Sequence, residues 1–346
     1  MTAPFKIFGL FAMGIFMLSA NILPEKAPKT LLSEYGYFSG ALQNLQPAEG
    51  VFLYEVNAPL FSDYAEKSRF IYLPSDARLQ YRESGAFQFP EGATIIKNFY
   101  YPLEAAHPEK GRRIVETRLL LKEVKGWKAL TYIWNQEQTD ATLEVAGASF
   151  PVSWINANGK KMDIEYVVPN VNQCKGCHSY DGQFTPIGVT QKQLDRTLAG
   201  SRNQLQIFQQ QGRIEGLPAS FDPEKAFHLA DYRQREISLD ASARAYLDAN
   251  CAHCHNPHGP ASTSGMFLNA EETDLEHLGV GKPPVAAGRG SGNRKYGIVA
   301  GKPSESILLY RMEHTDPGIR MPELGRQLVH EEGVALIREW IHGLRG

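Results

Sequence analysis

Two short cysteine motifs constrain this chain more than any other feature of its sequence. All four cysteines lie in two clusters that each end in a histidine: Cys174-Lys175-Gly176-Cys177-His178 and Cys251-Ala252-His253-Cys254-His255. The Cys-x-x-Cys-His pattern is typical of covalent haem attachment, because two thiols at this spacing reach the two vinyl groups of one porphyrin. The histidine that follows then binds the iron as its proximal ligand. The sequence therefore predicts two covalently attached haem c groups, one on each motif.

Zinc binding and thiol redox chemistry are the alternatives for paired cysteines. A zinc site built from two Cys-x-x-Cys pairs usually separates them by about 15 to 20 residues, whereas Cys174 and Cys251 begin clusters 77 residues apart. Zinc also has no need of the two added histidines. A thioredoxin-like pair belongs near a βαβ unit, and the sequence predicts none around either cluster. Haem attachment is favoured over both.

The last 110 or so residues contain two helical patterns. Residues Leu239, Ala243, Tyr246, Leu247 and Cys251 recur at helical spacing, and so do Val334, Ile337, Trp340, Ile341 and Leu344. The second cysteine motif therefore lies at the end of one amphipathic helix, and a second such helix closes the chain. Between them, Met321-Pro322 follows His255 by 66 residues.

From Leu239 to Leu344 these features resemble the class I cytochrome c fold. In that fold an N-terminal helix runs into the haem motif, a methionine before a proline supplies a sulfur ligand, and a C-terminal helix packs across the first. The resemblance implies that Met321 is the distal iron ligand opposite His255. Ligation by His and Met raises the potential relative to two histidines, which suits an electron carrier.

The first motif differs, because it follows a predicted strand, Ile164 to Pro169, and no Met-Pro follows it. The nearest candidates for a distal ligand are Met162 and His228, and His107, His277 and His330 also stay open. An open iron position is equally compatible with the sequence.

The region before the first motif has the alternation and turn residues of β structure. Ile114 to Val124, Lys128 to Asn135 and Ala141 to Trp154 are predicted strands, and Asn158-Gly159 favours a hairpin turn. We expect an α+β multidomain chain: a β-rich domain at residues 29–169, a sandwich or small barrel, then a first haem-binding segment with linker at 170–237 and a mostly helical cytochrome c-like domain at 238–346.

The N-terminus has the pattern of an export signal. Lys6 precedes an almost uninterrupted apolar stretch, Ile7 to Ala20, which at 14 residues is shorter than the about 20 needed to span a bilayer. We expect residues 1–23 to be a signal peptide cleaved after Ala20, or an uncleaved anchor, and the protein to be periplasmic. Membrane association would then involve the N-terminus only.

Composition excludes several function classes. Of the 346 residues, 42% are hydrophobic and 21% are charged, values of a soluble globular protein rather than a disordered chain or a polytopic membrane protein. The net charge of −2 gives no field that would attract nucleic acid. A glycine-rich loop near residue 290 lacks the ending of a nucleotide-binding loop, and we expect Arg289 or Arg294 there to pair with a haem propionate.

From Leu31 to Leu344 the chain resembles a bacterial family of dihaem c-type cytochromes of poorly defined role. Four stretches carry the resemblance: Leu32-Ser33-Glu34-Tyr35-Gly36, Ala58-Pro59-Leu60-Phe61-Ser62-Asp63-Tyr64, Pro169-Asn170-Val171-Asn172-Gln173 and Arg244-Ala245-Tyr246-Leu247. It implies two haems and an exported location. The sequence thus predicts electron transfer with an unidentified redox partner protein rather than catalysis. The alternative is a dihaem oxidoreductase, such as a peroxidase, with an open iron at the first haem.

Overall fold

The computed structural model of the chain describes residues 27–198 and 202–345, which form an α+β structure. The export segment predicted at residues 1–23 lies outside the described residues. Within the described part of the chain, no helix is both long and apolar enough to cross a membrane.

An antiparallel sheet of six strands forms most of the β-rich region. Its strands are β1 (Val51–Leu53), β2 (Glu66–Tyr72), β3 (Thr94–Pro102), β4 (Arg112–Glu123), β5 (Gly126–Trp134) and β6 (Ala141–Glu144). Each strand pairs with the next one in this order, so the sheet is a meander with β1 and β6 at its edges. The sheet is therefore open, and it does not close into the small barrel that was one of the two predicted forms.

A separate hairpin follows the sheet. Strands β7 (Ala148–Ile155) and β8 (Lys161–Val168) pair so that Val152 lies opposite Ile164. The predicted turn residue Gly159 has a φ of +75°, a conformation that glycine adopts without strain. Alternate hairpin residues are buried and pack on Phe99 and Tyr101 of the sheet. The hairpin thus forms a second β layer on the sheet, and this layering agrees in part with the predicted sandwich.

The predicted strand from Ala141 to Trp154 is wrong in one respect, because a turn at residues 145–147 divides it into β6 and β7. Gly147 has a φ of +83°, and a Cβ at this position would lie 2.9 Å from the carbonyl oxygen of Val168. The chain therefore leaves the large sheet at Gly147 and enters the hairpin.

Short helices dominate the rest of the chain. They are α1 (Val171–Cys177), α2 (Gln191–Leu194), α3 (Gln204–Gln210), α4 (Leu239–Leu247), α5 (Ile307–Met312) and α6 (Glu331–Gly343). Four pairs of two-residue strands also occur: Phe38–Ser39 with Gln46–Pro47, Leu79–Gln80 with Ile214–Glu215, Ser179–Tyr180 with Gln183–Phe184, and Thr197–Leu198 with Arg202–Asn203.

The helices α4 and α6, which the two helical patterns in the sequence predict, pack across each other. Tyr246 of α4 lies directly over Gly333 of α6, where an added Cβ would come within 2.3 Å of the tyrosine oxygen. The indole nitrogen of Trp340 donates a 2.8 Å hydrogen bond to the carboxylate of Asp240. The close approach at Gly333 brings the second cysteine motif, which follows α4, beside the start of α6.

The β-rich region contacts the loop before α6 through Asp63. Its buried carboxylate accepts hydrogen bonds of 2.7 to 2.9 Å from the backbone amides of Gln327 and Leu328. The amide of Phe61 donates to the side chain of Asn250 at 2.8 Å. The stretch from Ala58 to Tyr64, one of the four that carry the family resemblance, thus connects the β-rich region to the helical C-terminal region.

Candidate functional site

The first motif lies on α1, a helix of seven residues that begins just after β8. The Asn170 side chain accepts from the Gln173 amide at 2.9 Å, and the Gln173 side chain accepts from the Asn170 amide at 2.9 Å. This reciprocal cap satisfies amides that would otherwise lack partners at the helix start. It fixes the turn that carries Cys174 and Cys177, which the sequence had placed after a strand without a helix between them.

His178 follows α1 with one ring nitrogen already engaged. Its Nδ1 lies 2.9 Å from the backbone carbonyl oxygen of Thr185, and because a carbonyl can only accept, Nδ1 carries the proton. That tautomer leaves Nε2 as the atom available to a metal. Burial lowers the pKa of His178 to about 4, so the ring is neutral near pH 7 and can act as a ligand.

The second motif continues α4 through a π-helical turn, Asp248–Ala252. Burial raises the pKa of Cys251 to about 12 and lowers the pKa of His255 to about 4. The backbone of Met266 hydrogen-bonds the His255 ring and opposes that second shift. Nδ1 of His255 also lies 3.4 Å from the hydroxyl of Ser264. Both motif histidines are thus partly buried, neutral near pH 7 and hydrogen-bonded by a neighbouring loop.

The two cysteine motifs lie next to each other in the structure. The ligand atoms of Cys177, His253 and Cys254 all lie within 4.8 Å of one another, and Cys254 Sγ is 3.8 Å from the carbonyl oxygen of Gly176. The hydrogen bond from Cys254 lowers the pKa of Cys177 to about 4. All four cysteines are free thiols, so no disulfide joins the clusters.

A cavity of about 200 Å³ lies between the sheet, α1, α4 and the loop before α6. Five of the seven predicted site residues line it: Cys174, Cys177, His178, Cys251 and Met321. A wider cleft of about 1280 Å³ shares Cys177, His178 and His253 with this cavity. The structure therefore brings the first motif, part of the second motif and the predicted methionine to one place.

Met321 is held at the cavity wall by its backbone. Its amide donates to the carbonyl oxygen of Arg311 at 3.1 Å, and its own carbonyl oxygen accepts from the guanidinium of Arg326. Arg326 is buried and also donates to the carbonyl oxygens of His314 and Leu328. Arg320, also buried, donates to the carbonyl oxygens of Thr315 and Glu323, so two buried arginines hold this loop.

Of the five candidates for a distal ligand of the first haem, only His330 lines the cavity. Its ring stacks on Phe61 with centroids 4.1 Å apart, and its Nδ1 lies 3.1 Å from the Tyr246 hydroxyl. The other candidates lie elsewhere: Met162 packs against the hairpin core, His107 and His228 are exposed, and His277 is half-buried beside the Phe267 ring.

Sequence reasoning missed three basic residues in the cavity wall: Arg69, Lys97 and Arg118. Only Lys97 lies within a strand whose other residues are mostly apolar or aromatic, and the strands of Arg69 and Arg118 contain several other polar residues, so the sequence contains little signal for the set. In contrast, Arg289 and Arg294, the arginines named from the sequence, do not line the cavity. Arg289 pairs with Asp316 at 3.1 Å, and Arg294 lies over the Tyr310 ring.

The side chains present fit a covalently bound haem. Each motif offers two free thiols and a neutral imidazole, and the cavity wall is largely apolar with a cationic side. Nε of Arg118 is buried there without a hydrogen-bond partner among the described residues. Comparison with known proteins adds no further constraint, because no family model, no curated protein and no solved structure matches this chain.

Proposed function

We propose that the protein is an exported dihaem c-type cytochrome that transfers electrons through two covalently bound haems. The observation that carries this proposal is the tautomer of His178, whose Nδ1 donates to Thr185 so that Nε2 is free. The same Cys-x-x-Cys-His pattern occurs at His255, with a partly buried neutral ring. A bound haem supplies one-electron chemistry at iron, and the protein sets its potential through ligands and burial.

In this proposal Cys174 and Cys177 hold the first haem, and Cys251 and Cys254 hold the second. His178 and His255 are the proximal iron ligands. The attachment sulfurs of Cys177 and Cys254 lie within 4.8 Å of each other, so the chain would hold the two groups side by side. That closeness supports electron transfer between them, with a redox partner protein as donor or acceptor.

For the C-terminal region, residues 238–346, we propose a class I cytochrome c-like domain with Met321 as the distal ligand of the second haem. The crossing of α4 and α6 at Gly333 supports this assignment, and Met321 lines the same cavity as Cys251 of the second motif. Periplasmic location and a signal peptide at residues 1–23 are part of the same proposal. Both the location and the signal peptide are proposed from the sequence pattern at the N-terminus and from the fact that bacteria attach haem c outside the cytoplasm.

Replacement of Met321 tests the assignment against a matched control. Met312 also lines the cavity and is buried, so Met312→Ala removes a similar side chain from the same wall. We expect Met321→Ala to abolish the ferric methionine–sulfur absorption band and to lower the potential of one haem. Met312→Ala should lower stability by about 2 to 5 kcal/mol but keep the band. Loss of the band in Met312→Ala alone would contradict the assignment.

A peroxidase-type oxidoreductase is the second candidate, and the surroundings of His330 favour it. Nδ1 of His330 contacts the Tyr246 hydroxyl, and Nε2 lies 3.7 Å from a carboxylate oxygen of Glu332, so both ring nitrogens of this cavity-lining candidate already have polar neighbours. Ferric absorption spectra distinguish the two functions. A protein that stays low-spin and ignores peroxide and carbon monoxide is an electron carrier, whereas a high-spin haem that reacts with peroxide indicates the oxidoreductase.

Zinc binding is a third candidate, because Cys177, His253 and Cys254 present ligand atoms within 4.8 Å of one another. Thiolate and imidazole are preferred zinc ligands. This cluster, however, takes one cysteine from each motif and leaves Cys174, Cys251, His178 and His255 without a role. Metal analysis decides the matter: iron in a twofold ratio to protein supports haem, and one zinc with four titratable thiols does not.

A further inference from the structure

Three basic residues form a row across the middle of the sheet. Arg69 of β2 lies directly opposite Lys97 of β3, and Lys97 lies directly opposite Arg118 of β4. Side chains of directly opposed residues in antiparallel strands lie on the same face, with Cβ atoms about 5 Å apart. All three residues line the cavity that contains the first motif.

The row is only partly neutralised by the protein. Glu116 is fully buried and pairs with Arg118, and the Tyr166 hydroxyl donates to the same carboxylate at 2.7 Å. Within residues 27–198 and 202–345, neither Arg69 nor Lys97 has an ion pair, and the ammonium group of Lys97 lies 4.9 Å from the centre of the Phe99 ring. One carboxylate against three cations leaves two positive charges without a partner.

Without a bound anion, this row of three cations lowers the stability of the folded protein. Like charges on directly opposed strand positions repel each other, and a buried charge without a partner costs free energy. Burial, reinforced by Arg69 and its other cationic neighbours, lowers the pKa of Lys97 well below its usual range. Cation–π contact with Phe99, at 4.4 Å for Arg118, offsets part of this cost. A ligand of opposite charge would offset the rest of this free-energy cost.

We propose that the row Arg69, Lys97 and Arg118 binds the two propionate carboxylates of the haem attached to the first motif. The inference rests on the proposed function. Two unneutralised cations match two carboxylates, and guanidinium groups pair well with carboxylates through parallel hydrogen bonds. The sheet thereby becomes a wall of the first haem site rather than a separate module.

The position of the row assigns it to the first haem. The row lines the same cavity as Cys174, Cys177 and His178. Of the second motif, neither Cys254 nor the proposed iron ligand His255 lines that cavity. In addition, α1 packs against β5 of the same sheet.

Redox titration of the purified holoprotein tests the proposal. Lys97→Gln removes one cation, Arg69→Gln removes its neighbour, and Lys97→Arg keeps the charge. Lys125→Gln is the matched control, because Lys125 is exposed in the turn between β4 and β5 of the same sheet. The haem with the methionine–sulfur band is the second haem, so the other wave belongs to the first.

We expect Lys97→Gln and Arg69→Gln each to shift the first haem toward the ferric form by about tenfold, which is about 59 mV for one electron. A cation near the iron disfavours the more positive ferric state, so its loss lowers the potential. Lys97→Arg and Lys125→Gln should leave both waves in place. If excess acetate lowered the potential of the first haem in the wild type but not in Lys97→Gln, a free anion rather than a propionate would occupy the row, and the proposal would be wrong.

Failure of this inference is distinguishable from failure of the proposed function. If both haems are attached and Lys97→Gln and Arg69→Gln match Lys125→Gln, or shift only the second haem, the row does not bind the first haem's propionates. If the wild-type chain carries no covalent haem, the proposed function fails and the inference falls with it. If Lys97→Gln does not fold, Arg69→Gln and Lys97→Arg decide the question.

Discussion

The two Cys-x-x-Cys-His motifs share a pattern but lie in different surroundings. The first is carried by α1, which has seven residues and none of them buried, between a hairpin and a sheet with a cationic row. The second continues α4, which has five buried residues and crosses α6 in an apolar core. The same Cys-x-x-Cys-His pattern therefore lies beside a β-sheet at the first site and in a helical core at the second site.

This difference matters for the proposed electron transfer, because the reduction potential of a haem depends on its surroundings as well as on its iron ligands. If the proposed haems are bound, cationic side chains near the first site would favour the ferrous state, and at the second site the sulfur of Met321 would do so. Two neighbouring sites whose potentials are set by independent means could be adjusted separately. Three substitutions test how separate the two regions are.

The largest effect is expected in the helical region, from Gly333→Ala. The added methyl group would lie 2.3 Å from the buried oxygen of Tyr246, so α4 and α6 must move apart. We expect a loss of about 3 kcal/mol in the free energy of unfolding, together with loss of the methionine–sulfur band of the second haem. Gly343→Ala on the same helix is the control, because nothing lies within 4 Å of its Cβ position. Equal stability of both variants would show that the helices do not cross at Gly333.

An intermediate effect is expected from Asp63→Asn, which alters the connection between the two regions. Its carboxylate accepts from the amides of Gln327 and Leu328, and an amide side chain cannot accept with both of its terminal atoms. We expect about 2 kcal/mol of destabilisation and faster proteolysis of the loop before α6. The exposed Asp76→Asn should change stability by less than about 0.5 kcal/mol. Unchanged proteolysis in Asp63→Asn would mean that other contacts hold the regions together.

The smallest effect is expected at the two helix caps. Asn170 caps α1 through two reciprocal hydrogen bonds, whereas Ser238 caps α4 through one contact of 3.3 Å to the Ala241 amide. We expect Asn170→Ala to cost about 1 kcal/mol and Ser238→Ala less. Because α1 has no buried residues, Asn170→Ala should also slow haem attachment at the first motif. Chemical denaturation and haem yield measure the two effects, and a larger loss in Ser238→Ala would contradict the comparison.

Local patterns in the sequence predicted much of the fold. Alternation predicted β4 and β5, the Asn158-Gly159 pair predicted the hairpin turn, and helical spacing predicted α4 and α6. These features depend on neighbours along the chain. The break at Gly147 was missed because Ala141 to Trp154 alternates on both sides of a turn, and the open edges of the sheet depend on packing that no short pattern reports.

The site was predicted only in part for the same reason. The motifs identify Cys174, Cys251 and their partners locally, but the contact between Cys177 and Cys254 joins positions 77 residues apart. The row of Arg69, Lys97 and Arg118 exists only once three strands are in register. Single basic residues in separate strands give no sign of such an alignment.

The most direct test of the account is the mass of the denatured, purified chain with a haem stain on the same sample. The protein is made in a host competent in cytochrome maturation, alongside variants with Cys174→Ala and Cys177→Ala or with Cys251→Ala and Cys254→Ala. The account predicts two covalent haems in the wild type and one in each variant. A colourless wild-type protein of unmodified mass with four titratable thiols would contradict it.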